Sequence, residues 1–153
     1  MIMYTDFFDS PIGYLTVGAD ERYLLFVEFG ICEKCKNTNS VTEKAKTQIL
    51  EYLDGKRKSF TLEYKITGTD FQKRVLSALS AVPYGKTASY KEIAEAAGSP
   101  SAFRAVGTAC NKNKLPIIIP CHRIIGSDGS LTGYAGGLEI KQYLLETEKC
   151  SCQ

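Results

Sequence analysis

Residues 89–111 read SYKEIAEAAGSPSAFRAVGTACN, and this pattern predicts two short helices joined by a turn. The segment Ser89–Glu92 has the spacing of a capping box, in which two side chains bind each other's exposed backbone amides. Gly98 suits the left-handed residue that ends a helix, and Ser99 with Pro100 predicts the N-cap and first residue of a second helix. The outline is that of a helix-turn-helix, although many helix pairs of this kind pack together without binding nucleic acid.

The second predicted helix has one face of small and polar residues. Helical spacing places Phe103, Val106 and Cys110 inward, together with the alanines at 102, 105 and 109, and leaves the outer face to Arg104, Gly107, Thr108 and Asn111. A glycine inside a helix costs about 1 kcal/mol relative to alanine, so Gly107 indicates a close approach. Such a face suits a phosphate backbone or a narrow groove, with one arginine reaching into the duplex. A solvent-exposed face is the alternative.

Charge along the chain is uneven. The 153 residues carry a net charge of +2, but residues 83–126 contain six basic and two acidic side chains, a net +4, which leaves −2 for the rest. A basic segment is compatible with nucleic acid, and a solvated surface explains the charge equally well. With 44% hydrophobic and 24% charged residues, the composition excludes disorder, collagen and long coiled coil.

The sequence predicts a cytoplasmic protein. Its longest apolar run, at residues 115–120, is too short to cross a membrane, and residues 1–6 lack the features of a signal peptide. Six cysteines in a chain of this kind are expected to be mostly free thiols.

The first half of the chain predicts strands followed by one helix. A Ser-Pro-Ile-Gly turn at residues 10–13 separates two β-rich runs, and a third run at 23–29 is expected to be a central strand. Helical spacing at 42–53 and alternation at 60–66 predict a helix and a short strand. We therefore expect an N-terminal α/β lobe at residues 1–66, a mainly helical C-terminal lobe at 67–149 and a tail at 150–153.

The densest chemical pattern is LPIIIPCHRII at residues 115–125. It places Cys121 beside His122, the single histidine of the chain. A thiol in apolar surroundings is inert unless a base or positive field supports its thiolate. In an extended segment the two side chains would point to opposite sides, so a turn or a bridging water would have to connect them. On composition alone, a buried structural cysteine is favoured over a nucleophile. The glycine-rich residues 126–137 lack the lysine of a phosphate-binding loop.

Taken together, Pro120-Cys121-His122-Arg123 and GYAGGL at 133–138 resemble the O6-alkylguanine-DNA alkyltransferases. The resemblance extends over residues 68–148 and includes Phe71-Gln72, Val75, PYGKT at 83–87, Ser89-Tyr90, RAVG at 104–107, Leu144-Leu145 and Glu148. It implies an α/β fold with a small ribonuclease-H-like N-terminal lobe and a mainly helical C-terminal lobe that carries a winged-helix-like helix-turn-helix. It also implies a monomer that binds double-stranded DNA in the minor groove and needs no cofactor.

The activity implied by the resemblance is repair of O6-methylguanine, and of O4-methylthymine, by irreversible alkyl transfer to cysteine after the base is flipped out of the duplex. Cys121 then matches the acceptor, His122 the base that acts through water, Glu148 the carboxylate that orients it and Asn113 the residue that fixes the cysteine loop. Arg104 matches the side chain that fills the gap left by the flipped base. The remaining predicted contacts to DNA or to the base are Tyr90, Gly107, Thr108, Ile124, Tyr134 and Ala135.

Two other functions and one metal site are weighed against this interpretation. A non-catalytic sensor of alkylated bases would replace the acceptor cysteine, so Cys121 argues against it. A cysteine hydrolase would have no use for the face around Arg104. A zinc site would require the four thiolates of Cys32, Cys35, Cys150 and Cys152, and we expect free thiols or a local disulfide instead, with no metal.

Overall fold

A computed structural model describes residues 3–31 and 36–152 of the chain. The chain divides into two compact units, residues 1–65 and residues 66–153. Within the described ranges, every helix is too short or too polar to cross a membrane. The predicted fold class, a sheet-plus-helix unit followed by a mainly helical unit, is confirmed.

The first unit is built on an antiparallel sheet of three strands in the order β1-β2-β3. The strands are β1 (Tyr4–Phe8), β2 (Leu15–Ala19) and β3 (Leu24–Phe29). The predicted turn between the first two is present, because the Gly13 amide donates to the Ser10 carbonyl at 3.0 Å and Gly13 adopts a φ of +96°. Glycine reaches such an angle without steric cost.

Helix α1 (Ser40–Leu53) covers this sheet and contacts all three strands. It begins two residues earlier than the sequence predicted, because Asn39 and Thr42 cap each other's backbone amides. The core between the helix and the sheet consists of side chains that are almost fully buried: Leu15, Val17, Ala19, Ala45, Ile49, Tyr52 and Leu53.

Two expectations for this unit are wrong. The central strand is β2, whose five residues are all buried, whereas β3 pairs with β2 on one side only and makes a single bridge, between Leu24 and Tyr64, on the other. The alternating residues 60–66 form no strand element. Two backbone hydrogen bonds join this segment to β3, from the Leu24 amide to the Glu63 carbonyl and from the Lys65 amide to the Leu24 carbonyl. Two bonds are too few for a strand ladder, although the side chains alternate as in a strand.

The second unit contains four helices and a short parallel strand pair. The helices are α2 (Asp70–Ser80), α3 (Tyr90–Ala96), α4 (Phe103–Asn111) and α5 (Leu138–Ser151). The strands are β4 (Ala88–Ser89) and β5 (Ile124–Ile125), and a 3₁₀ turn at Cys121–Arg123 leads directly into β5. Helices α2, α3 and α4 contact one another. Helix α5 continues two residues into the stretch that the sequence set apart as a tail.

The helix-turn-helix is formed by α3 and α4, and its first half follows the prediction. Ser89 and Glu92 form the capping box, and Gly98 adopts a φ of +80° after the end of α3. The predicted start of the second helix is wrong: α4 begins at Phe103 after an uncapped Ala102, because the Ser99 amide is used to close α3 on the Ala94 carbonyl at 2.9 Å.

The two faces of α4 match the prediction in part. Val106 and Ala109 are buried, whereas Phe103 and Ala105 are exposed, contrary to expectation. The buried stripe of α4 is therefore narrower than the apolar pattern in the sequence. The outer face carries Arg104, Thr108 and Asn111, which are exposed, and Gly107, which is half-buried.

The two serines of this motif provide a matched test of capping. We expect Ser89→Ala to lower the free energy of unfolding by about 1 kcal/mol, because it removes the side chain that accepts from the Glu92 amide. Ser99→Ala should lower it by less than about 0.5 kcal/mol, because Ser99 closes α3 through its backbone. Urea denaturation of both variants measures this. Equal losses would show that the capping box adds nothing specific.

Candidate functional site

A cavity of about 110 Å³ opens within the second unit. The thiol of Cys121 forms part of its wall, and only 5% of this residue is exposed. The other lining residues come from α3, α4, β5 and the glycine-rich loop: Tyr90, Gly107, Cys110, Asn111, Ile124, Gly133, Tyr134 and Ala135. A small, partly apolar cavity lined by a buried cysteine is an arrangement expected of a reaction site.

Cys121 lies on a 3₁₀ turn rather than in a strand. The Arg123 amide donates to the Pro120 carbonyl at 3.0 Å and closes the turn, so that consecutive side chains do not alternate as they would in extended chain. Sequence reasoning required a turn or a bridging water between Cys121 and His122, and the structure supplies the turn.

The loop that leads to Cys121 is held by Asn113. Its side-chain amide donates to the Ile119 carbonyl at 3.2 Å, and its oxygen accepts from the Leu115 amide at 2.9 Å. Between these two contacts Ile117 adopts a φ of +75°, which is strained for a β-branched residue. The Asn113 contacts therefore hold a backbone conformation that Ile117 would not adopt by itself.

Burial and polar contacts shift the pKa of the Cys121 thiol in opposite directions. Burial raises its pKa, because a thiolate loses hydration there. Hydrogen bonds from the side chains of Asn113 and Tyr134 and the positive charge of Lys141 oppose this shift and favour the thiolate. Burial prevails, so the resting protein holds a thiol, and a base is needed to form the nucleophile.

A buried ionic cluster lies behind the turn. The Glu148 carboxylate on α5 accepts from Arg123 Nε at 2.9 Å and from Arg123 Nη2 at 3.0 Å, in a two-pronged ion pair. It also accepts from His122 Nε2 at 2.7 Å and from the Gly85 amide at 3.1 Å. Arg123 Nη1 donates to the Val82 carbonyl at 2.7 Å. One carboxylate thus joins α5, the 3₁₀ turn and the turn after α2.

The same carboxylate fixes the tautomer of His122. Burial lowers the pKa of the imidazole, although hydrogen bonding and charge from Glu148 act in the opposite direction. The ring is therefore neutral near pH 7. Because a carboxylate accepts and does not donate, the single ring proton lies on Nε2, and Nδ1 is the nitrogen that can take up a proton.

The predicted DNA-facing residues lie on the side of α4 next to the cavity. Arg104 and Thr108 are exposed, and Gly107 lines the cavity. A Cβ atom at Gly107 would lie 3.6 Å from Tyr90 Cε1, which is ordinary contact distance. The glycine therefore does not relieve a clash inside the protein, and its absent side chain leaves space at the cavity instead.

The structure brings together most of the residues that the sequence assigned to the reaction site. Cys121, Tyr90, Gly107, Ile124, Tyr134 and Ala135 line the cavity, while His122, Glu148 and Asn113 support it from behind. Cys150 and Cys152 are exposed free thiols. Cys32 and Cys35, the other residues weighed as zinc ligands, lie outside the described residues.

Sequence reasoning missed four side chains at the site. Arg123 and Lys141 are its buried cations, Thr132 contacts Tyr90, and Cys110 is a second thiol in the cavity wall. Burial raises the pKa of Cys110 to about 12, so it stays protonated. Helical spacing could have revealed Lys141, because it lies three residues before Leu144 and seven before Glu148, on the buried face of α5.

Comparisons with known proteins agree with each other over the whole chain. The family model described as 6-O-methylguanine DNA methyltransferase, DNA binding domain, matches residues 70–150, and the model for its ribonuclease-like domain matches residues 3–66. The methylated-DNA–protein-cysteine methyltransferase of Methanosarcina barkeri is 47% identical, over 96% of this chain and 98% of its own. The constitutive enzyme of that name from Bacillus subtilis is 44% identical, over 94% and 93%.

Solved structures give the same result. The crystal structure of Mycobacterium tuberculosis OGT in complex with DNA matches 97% of this chain and 94% of its own, with a TM-score of 0.89 and 41% identity.

Removing the charge of Glu148 should destabilise the protein strongly. We expect Glu148→Gln to lower the free energy of unfolding by about 3 kcal/mol, because it leaves the buried Arg123 guanidinium without its counter-charge. Glu146→Gln is the matched control on the same helix, since Glu146 is exposed. Chemical denaturation measures both variants, and a similar loss in the two would contradict a special role for the buried pair.

His122 should make stability depend on pH in a defined window. Its folded pKa lies below the ordinary 6.5, so above pH 6.5 both states are neutral and nothing changes. As the pH falls below 6.5 the unfolded chain gains a proton that the folded chain does not, and stability should fall by up to about 1.4 kcal/mol per pH unit. Denaturation between pH 7.5 and 5 measures this slope, and His122→Gln should flatten it. A wild-type stability that is constant over this range would refute the assignment.

Proposed function

The chain belongs to the 6-O-methylguanine DNA methyltransferase family and repairs DNA by alkyl transfer, and we propose that Cys121 is the residue that accepts the alkyl group. The observation that carries this proposal is the position of the Cys121 thiol in the wall of a cavity that Tyr90 and Tyr134 also line. The substrate is double-stranded DNA that contains O6-alkylguanine, which a monomer binds from the minor groove. O4-alkylthymine is a second candidate base.

His122 generates the nucleophile. Its Nδ1 atom takes up the thiol proton through a bridging water, and the imidazolium that forms is stabilised by the Glu148 carboxylate. The short hydrogen bond from Nε2 to Glu148, 2.7 Å, supports this assignment, as does the neutral state of the buried ring. Asn113 contributes by holding the loop and by hydrogen bonding to the sulfur.

The transfer is a single displacement. The sulfur forms a bond to the alkyl carbon while the bond from that carbon to O6 breaks, and the electron pair passes to the guanine ring. The base then takes up one proton, which the Tyr90 hydroxyl donates to its N3. The product is a thioether with no leaving route, so each protein molecule acts once.

The base reaches the cavity by flipping. A base inside the duplex is out of reach, and flipping costs a few kcal/mol. Arg104 offsets part of this cost by occupying the gap, while Gly107 and Thr108 allow α4 to lie close to the strand. The exposed position of Arg104 on a face of small residues supports this role. The backbones of Ile124 and Ala135 and the ring of Tyr134 contact the flipped base.

We also place this reaction in the cytoplasm. A free thiol at the reaction site is maintained by a reducing compartment, and Cys110 and Cys121 are both free.

The two thiols of the cavity provide a direct test of the acceptor. Incubation with duplex that contains O6-methylguanine should add one methyl group to the peptide that contains Cys121, because its thiolate has supporting contacts. Cys121→Ser should abolish the transfer and keep affinity for the duplex, whereas Cys110→Ser should retain transfer. Intact mass and peptide mapping measure both. Transfer by Cys121→Ser would overturn the proposal, and retention of damaged duplex by the wild type without an adduct would indicate a sensor.

The role of Arg104 can be separated from the chemistry. We expect Arg104→Ala to slow transfer from duplex by about tenfold, which corresponds to roughly 1.4 kcal/mol of the flipping cost. Transfer from free O6-alkylguanine should change little, because a free base needs no flipping. Lys73→Ala, which removes an exposed charge from α2, is the control. Single-turnover rates on both substrates measure the effect, and equal losses on the two would reject this role.

A further inference from the structure

Lys141 is a buried cation whose only role in the reaction as proposed so far is that its charge favours the Cys121 thiolate. It lies on the buried face of α5 and has 0% of its surface exposed. Its ammonium group donates to the Thr132 carbonyl at 3.2 Å and to the Thr132 hydroxyl at 3.3 Å. Among residues 3–31 and 36–152, no salt bridge to a carboxylate is described for it. Burial of a charge without such a partner is costly, which indicates that the charge has a use.

The Thr132 hydroxyl connects this cation to the cavity through hydrogen bonds. Its oxygen lies 2.5 Å from the Tyr90 hydroxyl, a short hydrogen bond in which either group could donate. The ammonium has no lone pair, so it must donate to the Thr132 oxygen. A hydroxyl that accepts from a cation is a stronger donor, which favours donation from Thr132 to the Tyr90 oxygen. In that arrangement the Tyr90 proton is free to point elsewhere.

Tyr90 is the end of this chain of hydrogen bonds that meets the cavity. It lines the same cavity as Cys121. Because the Tyr90 oxygen already accepts from Thr132, its own proton points away from Thr132. That proton is directed towards an acceptor in the cavity. The polarised phenol is also a better acid, because Thr132 and the ammonium behind it stabilise the negative oxygen that remains.

We propose that Thr132 and Lys141 are positioning residues that aim the Tyr90 hydroxyl at the bound base and replace the proton it gives up. This proposal rests on the proposed function of Cys121 and Tyr90. It adds one requirement to the reaction. The guanine can leave the alkyl carbon only when a chain of hydrogen-bond donors, which begins at buried Lys141, supplies it with a proton.

The protons balance in this sequence. As the carbon–O6 bond breaks, Tyr90 gives its proton to guanine N3, the Thr132 hydroxyl proton moves to the Tyr90 oxygen, and one Lys141 ammonium proton moves to the Thr132 oxygen. Lys141 becomes neutral and regains a proton from solvent after the base departs. Burial lowers the pKa of this ammonium, which makes the release of a proton easier.

Thr132 is a better test position than Lys141. The charge of Lys141 also favours the Cys121 thiolate, so lysine variants would change nucleophile and leaving group together. Thr132→Val removes the hydroxyl and keeps the shape, while Thr132→Ser restores the hydroxyl. Thr147→Val on α5 is the matched control for the substitution itself.

Two reactions of Cys121 are compared in each variant. Methyl transfer from O6-methylguanine in duplex needs a proton on the departing base, whereas alkylation of the same thiol by iodoacetamide does not. We expect Thr132→Val to slow methyl transfer by about tenfold or more and to leave iodoacetamide labelling of the Cys121 peptide within about twofold of wild type. Thr132→Ser and Thr147→Val should resemble wild type in both reactions.

A double-mutant cycle decides whether Thr132 acts through Tyr90. In the background of Tyr90→Phe, which has no phenolic proton, Thr132→Val should cause no further loss of transfer rate. Independent losses in the cycle, an unchanged rate in Thr132→Val, or parallel losses in both reactions would each overturn the proposal. Failure of the proposed function is distinct from these outcomes, because wild type itself would then carry no methyl group on the Cys121 peptide.

Discussion

The site depends on the placement of one buried negative charge. The Glu148 carboxylate is 1% exposed and joins the Arg123 guanidinium, the His122 ring and the Gly85 amide. A buried carboxylate with one partner would be costly, but a two-pronged arginine and two further donors satisfy its oxygens. Because His122 and Arg123 directly follow Cys121, their attachment to α5 also fixes the position of the sulfur.

In the proposed mechanism, this placement resolves a conflict in the requirements of Cys121 as acceptor. A thiol that is ionised at rest would react with any electrophile, and each such reaction would end the life of the protein. Burial keeps Cys121 protonated, while Asn113, Tyr134 and Lys141 supply enough stabilisation for a thiolate to form when a base removes the proton. The neutral His122 is held ready for that step by Glu148.

Sequence predicted the features that local chemistry determines. The capping box at Ser89, the left-handed Gly98 and the exposed position of Arg104 each depend on residues within a few positions of one another. The strand at 60–66 failed because its partners lie elsewhere in the fold, and the cap at Ser99 failed because the Ser99 amide closes the preceding helix instead. The roles at the cavity came from family resemblance. Lys141 lies outside the quoted motifs but follows the helical spacing of the buried face of α5, whereas the contact between Thr132 and Tyr90 is visible only in the structure.

Helix α5 carries two of the three buried charges of the site, and the third, Arg123, lies on the 3₁₀ turn. Lys141 and Glu148 are seven residues apart, two helical turns, and so lie on the same face. In the proposed mechanism Glu148 stabilises the proton that leaves the nucleophile, and Lys141 supplies the proton that the departing base takes up. The separation of about 10 Å along the helix keeps the two charges from neutralising each other directly. A rigid helix therefore holds the two charges that these proton transfers use at a fixed separation.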